Sequence, residues 1–300
     1  MSIIFGPVNS RRFGLSLGVD LSPKIKQCNF DCVYCELKAA KPVFAAQNVP
    51  SVEEVVNGVK EALSQKGQFS FITITANGEP SLYPHLYELV KALNLIKQDK
   101  KLLILSNGTG VLDEFKFKAI LGFDVVKFSL DSAVKSTFFK IDRAIKSINL
   151  EQMIDKMSEF KALFKGELVM EVLVVQGFND SELEFKALNE AFARIKPDRV
   201  DISSIDRPSA YPVKAVREEK LQSLAKLITA VPVLVPKRHF TRQNLDFSEK
   251  ELLKMLTLRP QSEFDIENFS PSSKTNLQNL LKNSLIFTQE LAGVKFYRAK

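Results

Sequence analysis

Six short apolar runs alternate with amphipathic stretches over the first 235 residues. The runs are Leu15–Leu21, Phe69–Thr75, Leu102–Leu105, Asp124–Leu130, Leu168–Val175 and Val200–Ile205. Their shortness and near-continuous apolar character are those of strands covered on both faces. Between them, apolar positions recur at helical spacing: Val52, Val55, Val56, Val59 and Leu63; Leu86, Leu89, Val90 and Leu93; Met153, Met157, Phe160 and Phe164; Leu183, Leu188, Phe192 and Ile195. Segments 111–121 and about 217–229 supply the remaining two helices. Ser51 and Glu54 form a capping-box pattern at the start of the first helix. Strand and helix alternating six times predict consecutive right-handed βα units on a parallel sheet. The pattern leaves two architectures open, an incomplete barrel and a doubly wound open sheet.

The pattern changes between Pro232 and Pro236, which bracket a short strand-like or linker run. We therefore expect two domains, 1–235 and 236–300. In the second, Ser248 caps a helix over Glu249–Leu258, a short helix covers Glu263–Phe269, and Ser270-Pro271 opens a third. Leu277, Leu280, Leu281 and Leu285 line the buried face of that third helix. Its other face offers Ser273, Lys274, Asn276, Gln278, Asn279 and Lys282. Phe287–Glu290 and Val294–Arg298 pair as a hairpin around Ala292-Gly293. Three helices and a hairpin resemble a winged helix, with 272–283 as the recognition helix. The readings for this module are nucleic-acid contact through 272–283 or docking of protein or substrate.

Composition narrows the class. With 45% hydrophobic and 26% charged residues the chain is an ordinary globular protein, and no apolar run is long enough to span a bilayer. The N-terminus lacks the apolar core of a signal peptide, and an odd, clustered cysteine count points to a reducing cytoplasm. The net charge is +7, and residues 237–300 carry 11 Lys/Arg against 7 Asp/Glu. That basic tail favours an anionic partner modestly.

The chemistry is concentrated in Gln27–Leu37, Q-C-N-F-D-C-V-Y-C-E-L. Cys28, Cys32 and Cys35, at C-x3-C-x2-C spacing, are the three cysteines of the chain. Three thiolates so close face one point only if the backbone wraps around it, which suits a soft metal or an iron–sulfur cluster. A structural zinc site needs a fourth ligand, and neither His85 nor His239 lies at finger-like spacing. Other distinctive residues follow the predicted strands: Gly78-Glu79-Pro80, Asn107, Ser129 with Asp131, Asn179 and Asp206-Arg207-Pro208. In barrels and open α/β sheets alike, the C-terminal strand edge carries the site. Arg11, Arg12 and Arg207 are further candidates for an anionic substrate, or surface groups.

The cysteine spacing, with Tyr34 just before the last cysteine, resembles the radical S-adenosylmethionine (SAM) superfamily. Within it, F-G-P-V-N-S-R-R-F-G-L-S-L-G-V-D-L, T-A-N-G-E-P-S-L-Y-P and S-L-D-S are similar to the wyosine-synthase-like branch. The resemblance covers roughly residues 3–235. It implies an α/β fold, an incomplete (β/α)6 parallel barrel, here followed by a small winged-helix-like α+β domain. It also implies a [4Fe–4S] cluster on Cys28, Cys32 and Cys35, with one iron left open for SAM. One electron from an external donor then cleaves SAM to a 5′-deoxyadenosyl radical that abstracts hydrogen from a substrate. Gly78, Glu79 and Pro80 resemble the Gly-Gly-Glu-Pro motif that binds the SAM amino group, with Asn77 in place of the first glycine. The remaining cofactor-binding positions implied are Tyr34, Asn107, Ser129 and Asp131. No cysteines remain for a second cluster, so tRNA wyosine synthesis is not assigned. The substrate is unidentified, with RNA a candidate. The alternative is an iron–sulfur or zinc regulator that binds nucleic acid and catalyses nothing. Oligomeric state is not legible.

Overall fold

The computed structural model describes residues 3–10, 13–65, 69–235, 245–291 and 294–300. Arg11, Arg12, Pro236, His239 and the Ala292-Gly293 turn lie outside them.

The apolar runs become strands laid side by side in chain order. An N-terminal strand β1 (Ile4–Ser10) pairs antiparallel with β2 (Gly14–Asp20). From β2 the sheet runs parallel through β3 (Phe71–Thr75), β4 (Lys101–Ser106), β5 (Val125–Ser129), β6 (Glu167–Val174), β7 (Arg199–Ser204) and β8 (Val233–Leu234). The crossovers carry α1 (Val52–Gln65), α2 (Leu86–Ile96), α3 (Glu114–Ile120), α4 (Lys135–Ile141) with α5 (Leu150–Leu163), α6 (Glu182–Ile195) and α7 (Glu218–Ala225). The six expected βα units are present. Two residues of the stretch between the prolines, read as strand-like or linker, are β8, which pairs with Val200 and Asp201.

Strand order decides between the two architectures. A doubly wound sheet reverses direction partway and covers both faces with helices. Here the order never reverses, and β1 and β8 remain as opposite edges, so the sheet curls into an incomplete barrel. Period-two alternation then sorts the side chains. Leu17, Ile72, Ile104, Val126, Met170 and Ile202 are fully buried in one core with Val59, Leu93, Ile120, Met153 and Phe192 of the helices. The alternate positions, among them Ser16, Thr73, Leu103, Lys127, Glu171 and Asp201, belong to the enclosed face, where Leu103, Val125 and Val169 form a smaller cluster against Phe13 and Phe71. Ser51 and Glu54 exchange both capping-box hydrogen bonds, at 2.7 and 3.1 Å.

The C-terminal part reads α8 (Glu249–Leu258), β9 (Gln261–Ser262), α9 (Glu263–Glu267), α10 (Pro271–Lys282), β10 (Ile286–Leu291) and β11 (Val294–Ala299). Its three strands form an antiparallel sheet in the order β10-β11-β9. Helix, strand, two helices and a terminal strand pair is the order of a winged helix. Leu252, Leu256, Leu277, Leu280 and Ile286 build a core of its own.

This part sits on the C-terminal edge of the barrel strands. Val8 of β1 packs against its core, and Lys254 of α8 is ion-paired with Asp20 at the end of β2. Both partners are buried, Asp20 completely. Asp20 Oδ1 also accepts the N–H groups of Ser22 and Asn77, at 3.0 and 2.8 Å. Arg207, read in sequence as a turn or an anion ligand, is instead a buried clamp. It donates to the Pro260 carbonyl at 2.7 Å and faces Asp265 at 3.2 Å and Glu36 at 3.7 Å. Lys254→Ala should therefore destabilise the protein by about 3 kcal/mol or more, because a buried carboxylate loses its counter-charge. Urea unfolding measures this, and a loss under about 1 kcal/mol would mean that the contact contributes little.

Candidate active site

The segment from Leu21 to Pro50 has no helix and forms only an isolated bridge, so its course is fixed by contacts with the strand ends. Gln27 pairs with the loop after β3: its N–H donates to the Asn77 carbonyl at 2.8 Å, and its carbonyl accepts the Glu79 N–H at 2.8 Å. Its buried side chain spans the loop, donating to Ser22 Oγ at 2.8 Å and the Gln47 carbonyl at 2.9 Å. On the far side, Asp31 and Val33 donate their N–H groups to the carbonyls of Asp142 and Ile141, at 3.1 and 2.9 Å. Phe30 packs edge-on against Phe138 and Val33 is buried. These two apolar residues anchor the loop between its cysteines.

Gly78 allows this arrangement. Its φ is +134°, and a Cβ there would overlap the Gln27 carbonyl oxygen. The close backbone approach is made at Gly78 toward the cysteine loop, while Asn77, standing where the family motif has glycine, donates its N–H to Asp20.

Cys28, Cys32 and Cys35 are free thiols and all line one cavity of about 470 Å³ at the strand ends. Tyr34, Gly78, Glu79, Asn107 and Ser129 line it too, so five of the seven expected cofactor positions meet the cysteines there. Pro80 and Asp131 do not line it. Pro80 begins a short 3-10 turn, with Glu79 capping it. Asp131 accepts the Tyr34 hydroxyl and, at 2.7 Å, the Leu173 N–H. Asn179 is also a structural tie: fully buried, it accepts from Val175 N–H and donates to the carbonyls of Asp131 and Leu173. His85 lies against Tyr83 at the start of α2 and does not line the cavity.

Glu79 is buried and joins three loop positions. Its carboxylate accepts Ser81 N–H at 2.9 Å, Ser106 Oγ–H at 2.6 Å and Asn107 N–H at 2.7 Å. Burial raises its pKa and these hydrogen bonds oppose the rise. Asn107 turns its amide toward Asn29 at 2.7 Å and Cys28 Sγ at 3.9 Å.

Burial pushes all three thiol pKa values upward. The charge of Glu79 adds to the rise at Cys28 and that of Asp142 at Cys32, whereas the Lys26 ammonium opposes it at Cys35. Such thiols stay protonated until a metal displaces the proton. Among the described residues, no three His, Cys, Asp or Glu side chains converge on a point that one metal ion could occupy. Three thiols on one cavity suit a cluster that offers a separate iron to each sulfur.

Sequence reasoning missed several residues on this cavity. Asp142, at the end of α4, accepts Cys32 Sγ–H at 3.3 Å and had no local signal. Lys127 and Glu171 form an ion pair at 2.6 Å inside the barrel. Their signal was present, a charged residue inside each of two apolar strands. Leu258 and Arg259 come from the C-terminal part, so that part helps to close the cavity. The polar face expected on α10 is also smaller than its sequence suggests. Ser273 is fully buried, Asn276 donates to the Phe247 carbonyl and Asn279 to Glu249, leaving Lys274, Gln278 and Lys282 exposed.

Comparison with known proteins places these observations in a family. The model of the Radical SAM superfamily matches residues 23–187. A UPF0026 protein of Helicobacter pylori is 38% identical over 301 residues, spanning 99% of this chain and 97% of its own length. Among solved structures, TYW1 with a lysine-pyruvate adduct bound aligns with a TM-score of 0.54 at 19% identity, over 71% of this chain and 72% of its own. Streptococcus suis SuiB bound to S-adenosylmethionine aligns with a TM-score of 0.57 at 14% identity, over 74% of this chain and 51% of its own.

Proposed function

The chain belongs to the radical SAM superfamily and is an iron–sulfur enzyme of that class, using a [4Fe–4S] cluster and SAM; on that premise we propose that Cys28, Cys32 and Cys35 hold the cluster, that Gly78 and Glu79 with Tyr34, Asn107 and Ser129 form the SAM site, and that the substrate is RNA. The observation that carries the site assignment is that all three thiols share one cavity with Gly78 and Glu79. When bound, cluster and SAM together supply, on one-electron reduction, the means of removing a hydrogen atom from an unactivated position.

The residues of this chain do the positioning. Gln27 and Gly78 bind the cysteine loop to the loop after β3, and Glu79 binds that loop to the one after β4. The cysteines and the proposed SAM residues are thereby set on one connected frame. Tyr34, held by Asp131, fixes the wall between Cys32 and Cys35. Phe5, Phe13, Phe30, Leu105 and Leu173 line the cavity with apolar surface, and Leu258 and Arg259 cover it, which limits water at a site meant for reactive chemistry. Pro80 and Asp131 act as supports of the neighbouring contacts rather than as ligands. We place the division between the catalytic part and the appended part near residue 236. Radical SAM enzymes draw their electron from an external donor. Among the described residues no helix is long and apolar enough to cross a membrane.

The RNA assignment draws support from the net charge of +7 and from the winged-helix order of the C-terminal elements. A non-catalytic regulator has no use for six βα units closing around a cavity, and that reading is not favoured. The test is electron paramagnetic resonance of the anaerobically reconstituted, reduced protein. Adding SAM should change the cluster signal, because SAM ligates the open iron. A signal indifferent to SAM would contradict the proposal.

A further inference from the structure

Cations buried in this protein have carboxylate partners: Lys26 with Asp31, Lys127 with Glu171, Arg207 with Asp265 and Lys254 with Asp20. One surface cleft gathers three cations that have no such partners among the described residues, with Lys38 and Lys300 exposed and Arg298 half-buried. It measures about 450 Å³ and lies between the end of the cysteine loop, the loop after β7 and the terminal strand pair. Lys38, Ser209, Ala210, Phe287, Arg298 and Lys300 line it, and among the described residues no Asp or Glu side chain does. Among the described residues, Lys38, Arg298 and Lys300 make no ion pair, with the terminal carboxylate or otherwise. The nearby Glu36 carboxylate is directed to Arg207.

The cleft adjoins the cavity that holds the cysteines. Arg298 donates to the Glu36 carbonyl at 2.6 Å, and Ala210 N–H donates to the Cys35 carbonyl at 2.8 Å. Cys35, Glu36 and Leu37 line the cavity, and Lys38 and Ala39, next in the chain, line the cleft. Phe287 is 38% exposed at the cleft, an aromatic face beside cations. That pairing suits single-stranded nucleic acid, in which cations follow the phosphates and aromatic rings stack on bases.

We propose that this cleft is a phosphate site that grips the backbone of a single-stranded nucleic acid and presents an adjoining nucleotide to the cavity. The presentation step rests on the radical SAM reading above; the binding step does not. The site also moves the main nucleic-acid contact from the exposed face of α10 to the strand pair and the cysteine loop.

The test uses the full-length, reconstituted protein and a labelled uridylate oligomer of about ten nucleotides. Inorganic pyrophosphate, a thymidylate oligomer and polyglutamate serve as competitors. Wild-type binding should weaken with salt. The double variant Lys38→Ala, Lys300→Ala should bind about tenfold less tightly, with a salt slope shallower by about 1.4, as two lost phosphate contacts imply. Lys274→Ala with Lys282→Ala should change binding by less than about threefold. Competition by pyrophosphate and thymidylate supports a phosphate site. Unchanged binding in the Lys38/Lys300 variant, or polyglutamate competing as well as pyrophosphate, would overturn it, as would pyrophosphate binding with no oligomer binding. Substrate-free SAM cleavage is assayed on the same wild-type samples. Its absence in wild type would count against the radical SAM reading and leave the binding result standing.

Discussion

Alanine in place of Cys28, Cys32 or Cys35 should reduce both iron incorporation and SAM cleavage to background, while the fold survives. The two halves of this expectation have separate physical causes. The thiols are the cluster's proposed ligands, and among the described residues no other Cys or His lines their cavity to replace a lost one. The loop does not depend on them for its shape, because Phe30, Val33, Gln27 and Asp31 fix its course. Cys32→Ala also leaves Asp142 without the thiol donor at 3.3 Å, a cost of about 1 kcal/mol. Iron analysis with circular dichroism separates loss of the cluster from loss of the fold. A variant that still takes up a full cluster and cleaves SAM would remove that cysteine from the ligand set.

Gly78→Ala should be the most damaging single change outside the cysteines. Its backbone conformation is unfavourable for any residue with a Cβ, and the added carbon would overlap backbone rather than a movable side-chain end. A backbone shift is the only relief, and it breaks the paired hydrogen bonds between Gln27 and the loop after β3. Strain of this kind together with overpacking costs about 4 kcal/mol or more. Thermal unfolding should show that loss, and iron uptake should fall because the cysteine loop is displaced. Gly14, with φ +70° and nothing within 4 Å of the place a Cβ would take, serves as the control. Its alanine variant should lose only the cost of the positive φ, about 1–2 kcal/mol, and keep its iron. Equal effects at the two glycines would show that close approach to Gln27 is not what requires Gly78.

The sequence disclosed the six βα units because its strands are short apolar runs and its helices have strong periodicity, and left barrel and open sheet undecided. It also placed α8 and the start of α10 correctly, since Ser248 and Ser270 cap them as their sequence context suggests. β1 was missed because Gly6 and Pro7 interrupt its apolar pattern, which is tolerable on the edge strand that β1 forms. α4 and β9 escaped because seven and two residues are too few to establish a period.

At the site, residues following strands could be read from local sequence, and Cys28, Cys32, Cys35, Gly78 and Glu79 do meet. What could not be read was tertiary. Asp131 and Asn179 follow strands as site residues do, and their side chains accept hydrogen bonds from loop backbone. Arg207 and Lys254 resemble surface cations but join the C-terminal part to the barrel as buried charges. That junction makes removal of the C-terminal part costly. Removing the chain beyond residue 236 would strip Asp20 of its counter-charge and uncover the cavity, so it is no neutral deletion.

Loaded with its cluster, this cavity should cleave SAM reductively. The direct measurement is anaerobic reconstitution followed by reduction with dithionite in the presence of SAM, with iron and products quantified. About four irons per chain and equal release of methionine and 5′-deoxyadenosine are expected. Zinc as the bound metal, or a fully loaded cluster that leaves SAM intact, would contradict it.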